Sequence, residues 1–161
     1  MLNTPRALRG MVTSPHHLAS EAGLRVLRDG GNAIEATIAM AASLAVVYPH
    51  MTSIGGDGFW LVSKNGSEPV ALDACGGAAA AATPELYASR GFKTIPQRGP
   101  LAANTVAGTI SGWGEALKLS AEMGGKLPLS RLVEDAAWSA ENGFPVTASQ
   151  QELTTSKLPV L

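Results

Sequence analysis

Charged residues are scarce in this sequence of 161 residues. They make up 16% of the sequence, and hydrophobic residues make up 45%. In a self-contained small domain about a quarter of all residues are usually charged. The 12 basic and 13 acidic residues nearly cancel, so we expect neither nucleic acid nor an anionic membrane as a partner. The low charge predicts that other protein, either a partner or further sequence, covers part of the surface.

Cysteine and long apolar runs are also nearly absent. Cys75 is the single cysteine, which excludes an internal disulfide and fits a reducing compartment. No basic and then apolar signal segment opens the sequence. The longest nearly apolar run, residues 36–48, is interrupted by Thr37 and Ser43 and is too short for a membrane span. These features predict a soluble, cytoplasmic protein.

Metal-binding patterns are missing as well. His16 and His17 are adjacent, so they would point in different directions on a helix, and no cluster of cysteines or carboxylates accompanies them. We therefore expect no metal and no cofactor.

Glycine, in contrast, is concentrated in one place. The run HMTSIGGDGFW, residues 50–60, holds three glycines around Asp57, between a long apolar segment and a predicted strand. Gly55 and Gly56 permit positive φ or the close approach of another group, and Asp57 adds a carboxylate acceptor. Ligands often bind such loops, although a tight turn without a ligand gives the same pattern.

Capping and turn signals predict a mostly helical α+β fold in a single domain, residues 1–161. Asn32 and Glu35 form a capping box for a helix that is apolar on nearly every face, so this helix should be central. The predicted strands are 11–12, 59–63 and 70–73, the last two joined through Asn65-Gly66. Six helices are predicted. The first runs from Ser14-Pro15 to Gly30-Gly31, the second covers 34–47 and the third covers 83–90. The fourth contains Trp113 and Leu117 and ends at Gly124-Gly125, the fifth covers 129–142, and the sixth starts at Thr147.

The predicted hairpin places two more polar residues beside the glycine loop. Its second strand returns Asp73 and Cys75 toward the end from which the first strand leaves. We therefore expect Asp73 and Cys75 to lie with Gly55, Gly56 and Asp57 in one substrate-binding cluster.

Three stretches of the sequence resemble the γ-glutamyltranspeptidase family: GMVTSPHHLASEAGLRVLRDGGNAIEATIAMAASLAVVYPHMTSIGGDGFWLV, VALDACGG and NTVAGTISGWGEALK. The resemblance is colinear from Gly10 to about residue 143. It implies the αββα sandwich of N-terminal nucleophile hydrolases, made as a proenzyme that cuts itself before a threonine. The freed threonine hydroxyl then attacks an amide carbonyl. The chain resembles the N-terminal portion of the large subunit of such a protein.

One departure concerns the substrate. Transpeptidases of this family carry an Asp-x-Arg-Glu motif whose arginine binds the glutamyl α-carboxylate, but here the motif reads Asp73-Ala74-Cys75-Gly76. Cysteine cannot make the bidentate, charge-assisted contact of arginine. The GGDGFW run and the QRGP loop resemble instead the branch that includes oxamate amidohydrolase. The resemblance thus implies hydrolysis of a small, carboxylate-bearing amide, and we expect Arg98 to bind the carboxylate unless it is an ordinary surface arginine.

The second departure is that no catalytic residue falls within this chain. Thr154 and Thr155 fit the surface of a helix rather than a cleavage site, so the nucleophile would lie elsewhere. The implied partners are the rest of the large subunit and a small subunit from the same precursor, in a processed heterodimer that could pair into a homodimer. Three alternatives stay open: a γ-glutamyl hydrolase or transferase acting on glutathione-like amides, an inactive fragment or protein-interaction module, and a Cys75 nucleophile without an evident histidine partner.

Overall fold

The computed structural model describes residues 4–158, which form seven α-helices, one short 3₁₀ helix and a two-stranded antiparallel sheet. This mostly helical arrangement with one hairpin confirms the predicted α+β class. No helix in residues 4–158 has the length and apolar character that a membrane span requires. The helices are α1 (His17–Arg28), α2 (Ala33–Val47), α3 (Pro84–Ser89), α4 (Thr109–Glu122), α5 (Leu129–Leu132), α6 (Glu134–Asn142) and α7 (Ala148–Lys157); the strands are β1 (Gly58–Val62) and β2 (Val70–Ala74).

Helix α2 is the centre of the fold, as its apolar sequence predicts. It packs against α1, α4, α5 and α6. Ile38 and Ala39 are fully buried in the core, together with Trp113 from α4 and Leu132 from α5. The other elements of the described chain do not cover α2 on every side, because Thr37 is exposed.

A buried polar cluster fixes the start of α2. The predicted capping box is present: Asn32 accepts from the backbone N–H of Ile34 and Glu35, and the Glu35 carboxylate accepts from the N–H of Asn32 at 2.8 Å. Glu35 is 1% exposed, and its second oxygen accepts from the N–H of Leu127 at 2.8 Å. The Asn32 amide donates to the carbonyl of Ser120. Because a buried carboxylate is tolerated only when its oxygens are paired, this cluster ties α2 to the end of α4 and to the segment that follows it.

The N-terminal segment differs from the prediction in two ways. Met11 and Val12 are not a strand, because the sheet of the described chain contains only β1 and β2. Helix α1 begins at His17 rather than at Ser14-Pro15, since the imidazole of His16 caps it by accepting from the N–H of Leu18. Ser14 instead donates to the carbonyl of His16, so the expected capping serine supports the actual cap.

The single helix predicted for 129–142 is also wrong. Val133 adopts φ −98° and ψ 0°, which separates α5 from α6. Valine is β-branched and loses side-chain freedom inside a helix, so it is a weak point for continuing one. Ion pairs join both pieces to α1 and its C-cap, Arg25 to Asp135 and Asp29 to Arg131, and Arg131 also pairs with Glu134 and Asp135 across the break. On α6, Ala136 and Ser139 are buried while Ala140 is exposed.

The hairpin has one covered and one uncovered face. β1 and β2 pair in the predicted antiparallel manner, with Phe59 opposite Asp73 and Leu61 opposite Ala71. Trp60 and Val62 point to the core, whereas Phe59 and Leu61 are 73% and 77% exposed. Two large apolar side chains next to each other on one sheet face form a surface that other protein normally covers.

We expect the isolated 1–161 chain to self-associate through this face and to lack amidase activity. Replacing Phe59 and Leu61 together by threonine should shift the chain toward monomer in sedimentation velocity, because threonine keeps β-propensity and removes apolar surface. The matched control replaces Val146 and Leu158, which are exposed elsewhere in the chain. A monomeric wild-type chain that melts cooperatively would contradict this expectation.

Candidate functional site

The candidate site lies where three segments meet at one end of the hairpin. We call them the glycine loop (residues 55–58), the thiol segment (73–77) and the α4 entry (105–109). The strand register sets Gly58 opposite Ala74, so the residues just outside the pairing, Asp57 and Cys75, lie at the same end. The structure thus confirms that the hairpin gathers Asp57, Asp73 and Cys75; whether they bind a substrate stays a prediction.

The two aspartates use carboxylate oxygens to hold the backbone. Asp57 accepts from the N–H of Gly76 at 3.2 Å, which joins the glycine loop to the thiol segment. Asp73 accepts from the N–H of Cys75 at 2.9 Å and shapes the end of β2. These carboxylates therefore orient the cluster as well as making it negatively charged.

Thr109, at the first turn of α4, joins the third segment and was not among the predicted site residues. Its buried hydroxyl lies 2.7 Å from the carbonyl oxygen of Gly56 and 3.1 Å from that of Asp57. The N–H groups of Gly108 and Thr109 also donate to the Gly56 carbonyl, each at 3.0 Å. A threonine after a glycine, ahead of a helical pattern, is the sequence signal that could have marked this position.

Close backbone packing explains one glycine of the thiol segment, Gly76, and one of the α4 entry, Gly108. A Cβ on Gly76 would overlap the carbonyl oxygen of Val106, and one on Gly108 would overlap that of Ala74. These two positions need glycine because no space exists for a side chain.

The glycine loop itself differs from the expectation in its backbone. Neither Gly55 nor Gly56 has positive φ, and in both cases a Cβ would meet nothing closer than the Ser53 hydroxyl, at 3.9 and 4.0 Å. The positive-φ interpretation of this loop is therefore wrong. Both glycines border open space, which leaves the loop accessible to a ligand or to protein outside the described residues.

Cys75 is an exposed thiol in a negative environment. The thiol donates to the carbonyl of Gly76 at 3.8 Å, and the neighbouring Asp57 carboxylate is the main cause that raises its pKa, with smaller contributions from desolvation and from the charge of Asp73. The thiol is thus held protonated at neutral pH and is a poor nucleophile. The arrangement offers a neutral sulfhydryl and two carboxylates, which suits groups that donate hydrogen bonds, such as the N–H of an amide.

Arg98 lies in a different place from the other predicted residues. It is exposed, precedes Gly99 with φ +83°, and borders a cavity against α7. A smaller depression beside it is lined by Gly56 and Asp57, and the two share Pro49 and Met51. Among the described residues, no hydrogen bond or ion pair joins Arg98 to Asp57, Asp73 or Cys75, so the turn at 49–51 separates the arginine from the thiol cluster.

The two adjacent histidines and the two adjacent threonines considered from the sequence belong to helices or to a helix cap. His16 is the buried cap of α1 and stacks on His17, with ring centroids 4.7 Å apart. Residues 4–158 contain no group of three or more His, Cys, Asp or Glu side chains arranged to hold a metal. Thr154 and Thr155 are exposed on α7, and the Thr155 hydroxyl donates to the carbonyl of Gln151, which matches their interpretation as surface helix residues.

The environment of Cys75 predicts its reactivity. Since the folded-state pKa is raised, the thiolate fraction at pH 8 is smaller than for an ordinary cysteine, and alkylation by iodoacetamide should be slower than that of a model thiol. Asp57→Asn removes the main cause of the raised pKa and should accelerate the modification, measured as labelling of the Cys75 peptide by mass spectrometry. Glu68→Gln, which removes one charge from the exposed hairpin turn, is the control and should leave the rate unchanged. Equal labelling rates in the wild-type protein and both variants would show that Asp57 does not raise the pKa of the Cys75 thiol.

Comparisons with known proteins extend over nearly the whole chain. Residues 19–161 match the family described as Gamma-glutamyltranspeptidase. The chain is 56% identical to an oxamate amidohydrolase proenzyme of Klebsiella pneumoniae, with 94% of the chain and 29% of that protein covered. It is 43% identical to a glutathione hydrolase-like YwrD proenzyme of Bacillus subtilis, with 94% and 28% covered.

The fold is also found in solved structures. The γ-glutamyltranspeptidase of Helicobacter pylori superposes with a TM-score of 0.85 at 35% identity, over 96% of this chain and 44% of that one. This chain spans less than a third of the length of the two curated relatives. On the match of residues 19–161, the chain belongs to the γ-glutamyltranspeptidase family.

Proposed function

We propose that this chain is the N-terminal part of the large subunit of an amidohydrolase that acts on a small amide bearing a carboxylate. The observation that carries the proposal is the position of Cys75: it lies beside the Asp57 and Asp73 carboxylates, where the resemblance places the arginine of the transpeptidases. Support comes from the 56% identity to a protein named for the hydrolysis of oxamate.

The charge of the cluster argues against a γ-glutamyl substrate bound in the transpeptidase manner. An α-carboxylate placed beside Cys75 would face Asp57 and Asp73 without a compensating cation, and an unpaired charge in a partly desolvated site is costly. The γ-glutamyl hydrolase remains a second candidate because the chain is 37% identical over 141 residues to a glutathione hydrolase proenzyme of Bacillus subtilis. That alternative requires an arginine from outside the cluster.

In the proposed reaction, the nucleophile is a threonine of a downstream segment, freed by cleavage of the precursor. Its hydroxyl oxygen bonds to the amide carbonyl carbon while its proton passes to a nearby base; the base then gives this proton to the amide nitrogen, which leaves as ammonia or an amine as the C–N bond breaks. Water then attacks the ester, releasing the acid and restoring the threonine. Residues of this chain would bind and orient: Asp57 and Asp73 offer acceptors to the amide N–H groups, and Thr109 keeps the loop in place.

The test uses the full-length protein, meaning this chain with the rest of its reading frame. We expect mass spectrometry to find a second polypeptide that starts with threonine, and ammonia release from oxamate to exceed the hydrolysis of γ-glutamyl p-nitroanilide. Cys75→Ser is the control, and its kcat/KM should stay within about tenfold of wild type, a barrier change below about 1.4 kcal/mol.

Each other outcome supports a different function. Preference for the γ-glutamyl substrate would support the transpeptidase-like alternative. A protein without a threonine-initiated polypeptide and without either activity would support the inactive fragment or interaction module. Complete loss of turnover in a folded and processed Cys75→Ser protein would make the thiol the nucleophile.

A further inference from the structure

The cavity that Arg98 borders is formed by three segments distant in sequence. It lies between the turn that follows α2, the loop before the 3₁₀ helix and the exposed end of α7, and its volume is about 500 Å³. This size is within the range of small-molecule sites. The lining residues are Pro49, His50, Met51, Arg98, Leu153, Thr154 and Lys157.

The charged side chains that line this cavity within the described residues are all basic. Arg98 and Lys157 supply two cations, and none of the lining residues within 4–158 is a carboxylate. Neither cation takes part in an ion pair within residues 4–158. The cavity beside α1 shows the contrast, because its two arginines face Glu21, Glu134 and Asp135 and are neutralised. The cations of the Arg98 cavity therefore have no counter-charge within the described chain.

His50 also borders this cavity, through atoms other than its two ring nitrogens. Both of its ring nitrogens are shielded from solvent and have no hydrogen-bond partner among the described residues. The ring is held edge-on against Tyr48, with centroids 4.3 Å apart. The imidazole therefore contributes to the wall of the cavity and offers no hydrogen-bond donor to its interior.

The chemistry of the lining identifies the class of acceptor. Arginine binds a carboxylate through two parallel hydrogen bonds, and lysine adds a point charge. Pro49, Met51 and Leu153 give apolar walls that suit a short carbon chain. Asp57, across the shared turn at 49–51, would repel the same anion from the thiol cluster.

We propose that the Arg98 cavity binds the carboxylate of the amide substrate. This inference rests on the proposed function for the identity of the ligand, and on the cavity for its location. It assigns Lys157 to substrate binding beside Arg98, with Pro49, His50 and Met51 as the wall of the cavity.

The experiment measures charge preference in the full-length protein. The kcat/KM values for oxamate, malonamate and succinamate are each divided by the value for the corresponding uncharged diamide. We expect this ratio to favour the anionic substrate, and to fall about tenfold to a hundredfold in Arg98→Ala, the range for losing a hydrogen bond to a charged group. Lys157→Ala should lower it less, and Arg98→Lys should also lower it because lysine lacks the fork.

The matched controls each remove one arginine or one lysine that lies outside the Arg98 cavity. Arg90→Ala takes an exposed arginine from the end of α3, and Lys93→Ala takes a lysine that borders a separate groove. Both should keep the wild-type ratio. If Arg98→Ala and Lys157→Ala behave like these controls, the carboxylate binds elsewhere and the inference is wrong.

A binding measurement separates this inference from the proposed function. Calorimetric titration of malonate into the full-length protein should show binding that weakens in Arg98→Ala and Lys157→Ala, and malonate should inhibit hydrolysis by raising KM. Amide hydrolysis without charge preference would leave the proposed function standing and overturn the inference. Malonate binding that depends on Arg98, in a protein that hydrolyses no amide, would overturn the proposed function and keep the cavity as a carboxylate site. Inhibition that lowers kcat at unchanged KM would place the anion away from the substrate and contradict the assignment.

Discussion

The site depends on the close approach of two backbone segments that leave no space for side chains. Gly76 packs against the carbonyl of Val106, and Gly108 packs against that of Ala74. This contact brings the end of β2 against the start of α4, and the Gly56 carbonyl, bound by Thr109 and its neighbour, adds the glycine loop. The position of every polar group at this end of the hairpin follows from that three-way junction.

The junction has a consequence for charge. It holds Asp57 and Asp73 beside the Cys75 thiol, so this end of the hairpin is negative and its sulfur stays protonated. The basic side chains Arg98 and Lys157 lie on the other side of the turn at 49–51. An amide that also carries a carboxylate has the complementary polarity, with donors at one end and an anion at the other.

Local signals made much of the fold predictable from the sequence. The capping box of Asn32 and Glu35 and the antiparallel hairpin depend on residues close in the chain, and both are present in the structure. The placement of Asp57 and Cys75 at the same end of the hairpin also followed from the predicted pairing of the two strands. The start of α1 and the break at Val133 were predicted wrongly although their causes are local, because capping by His16 and the dihedral angles of one valine are weak signals in a sequence. Thr109 reaches Gly56 from 53 residues away, so a local pattern could mark the threonine but not its partner.

The most direct measurement of the junction is amide hydrogen exchange at Gly108 and Thr109 in the full-length protein, since both donate to Gly56. Gly76→Ala is compared with Gly77→Ala, where a Cβ would meet nothing within 4 Å. The account predicts protected amides in the wild-type protein, faster exchange in Gly76→Ala and wild-type exchange in Gly77→Ala. Equal protection in all three proteins would contradict the claim that this backbone contact holds the site together.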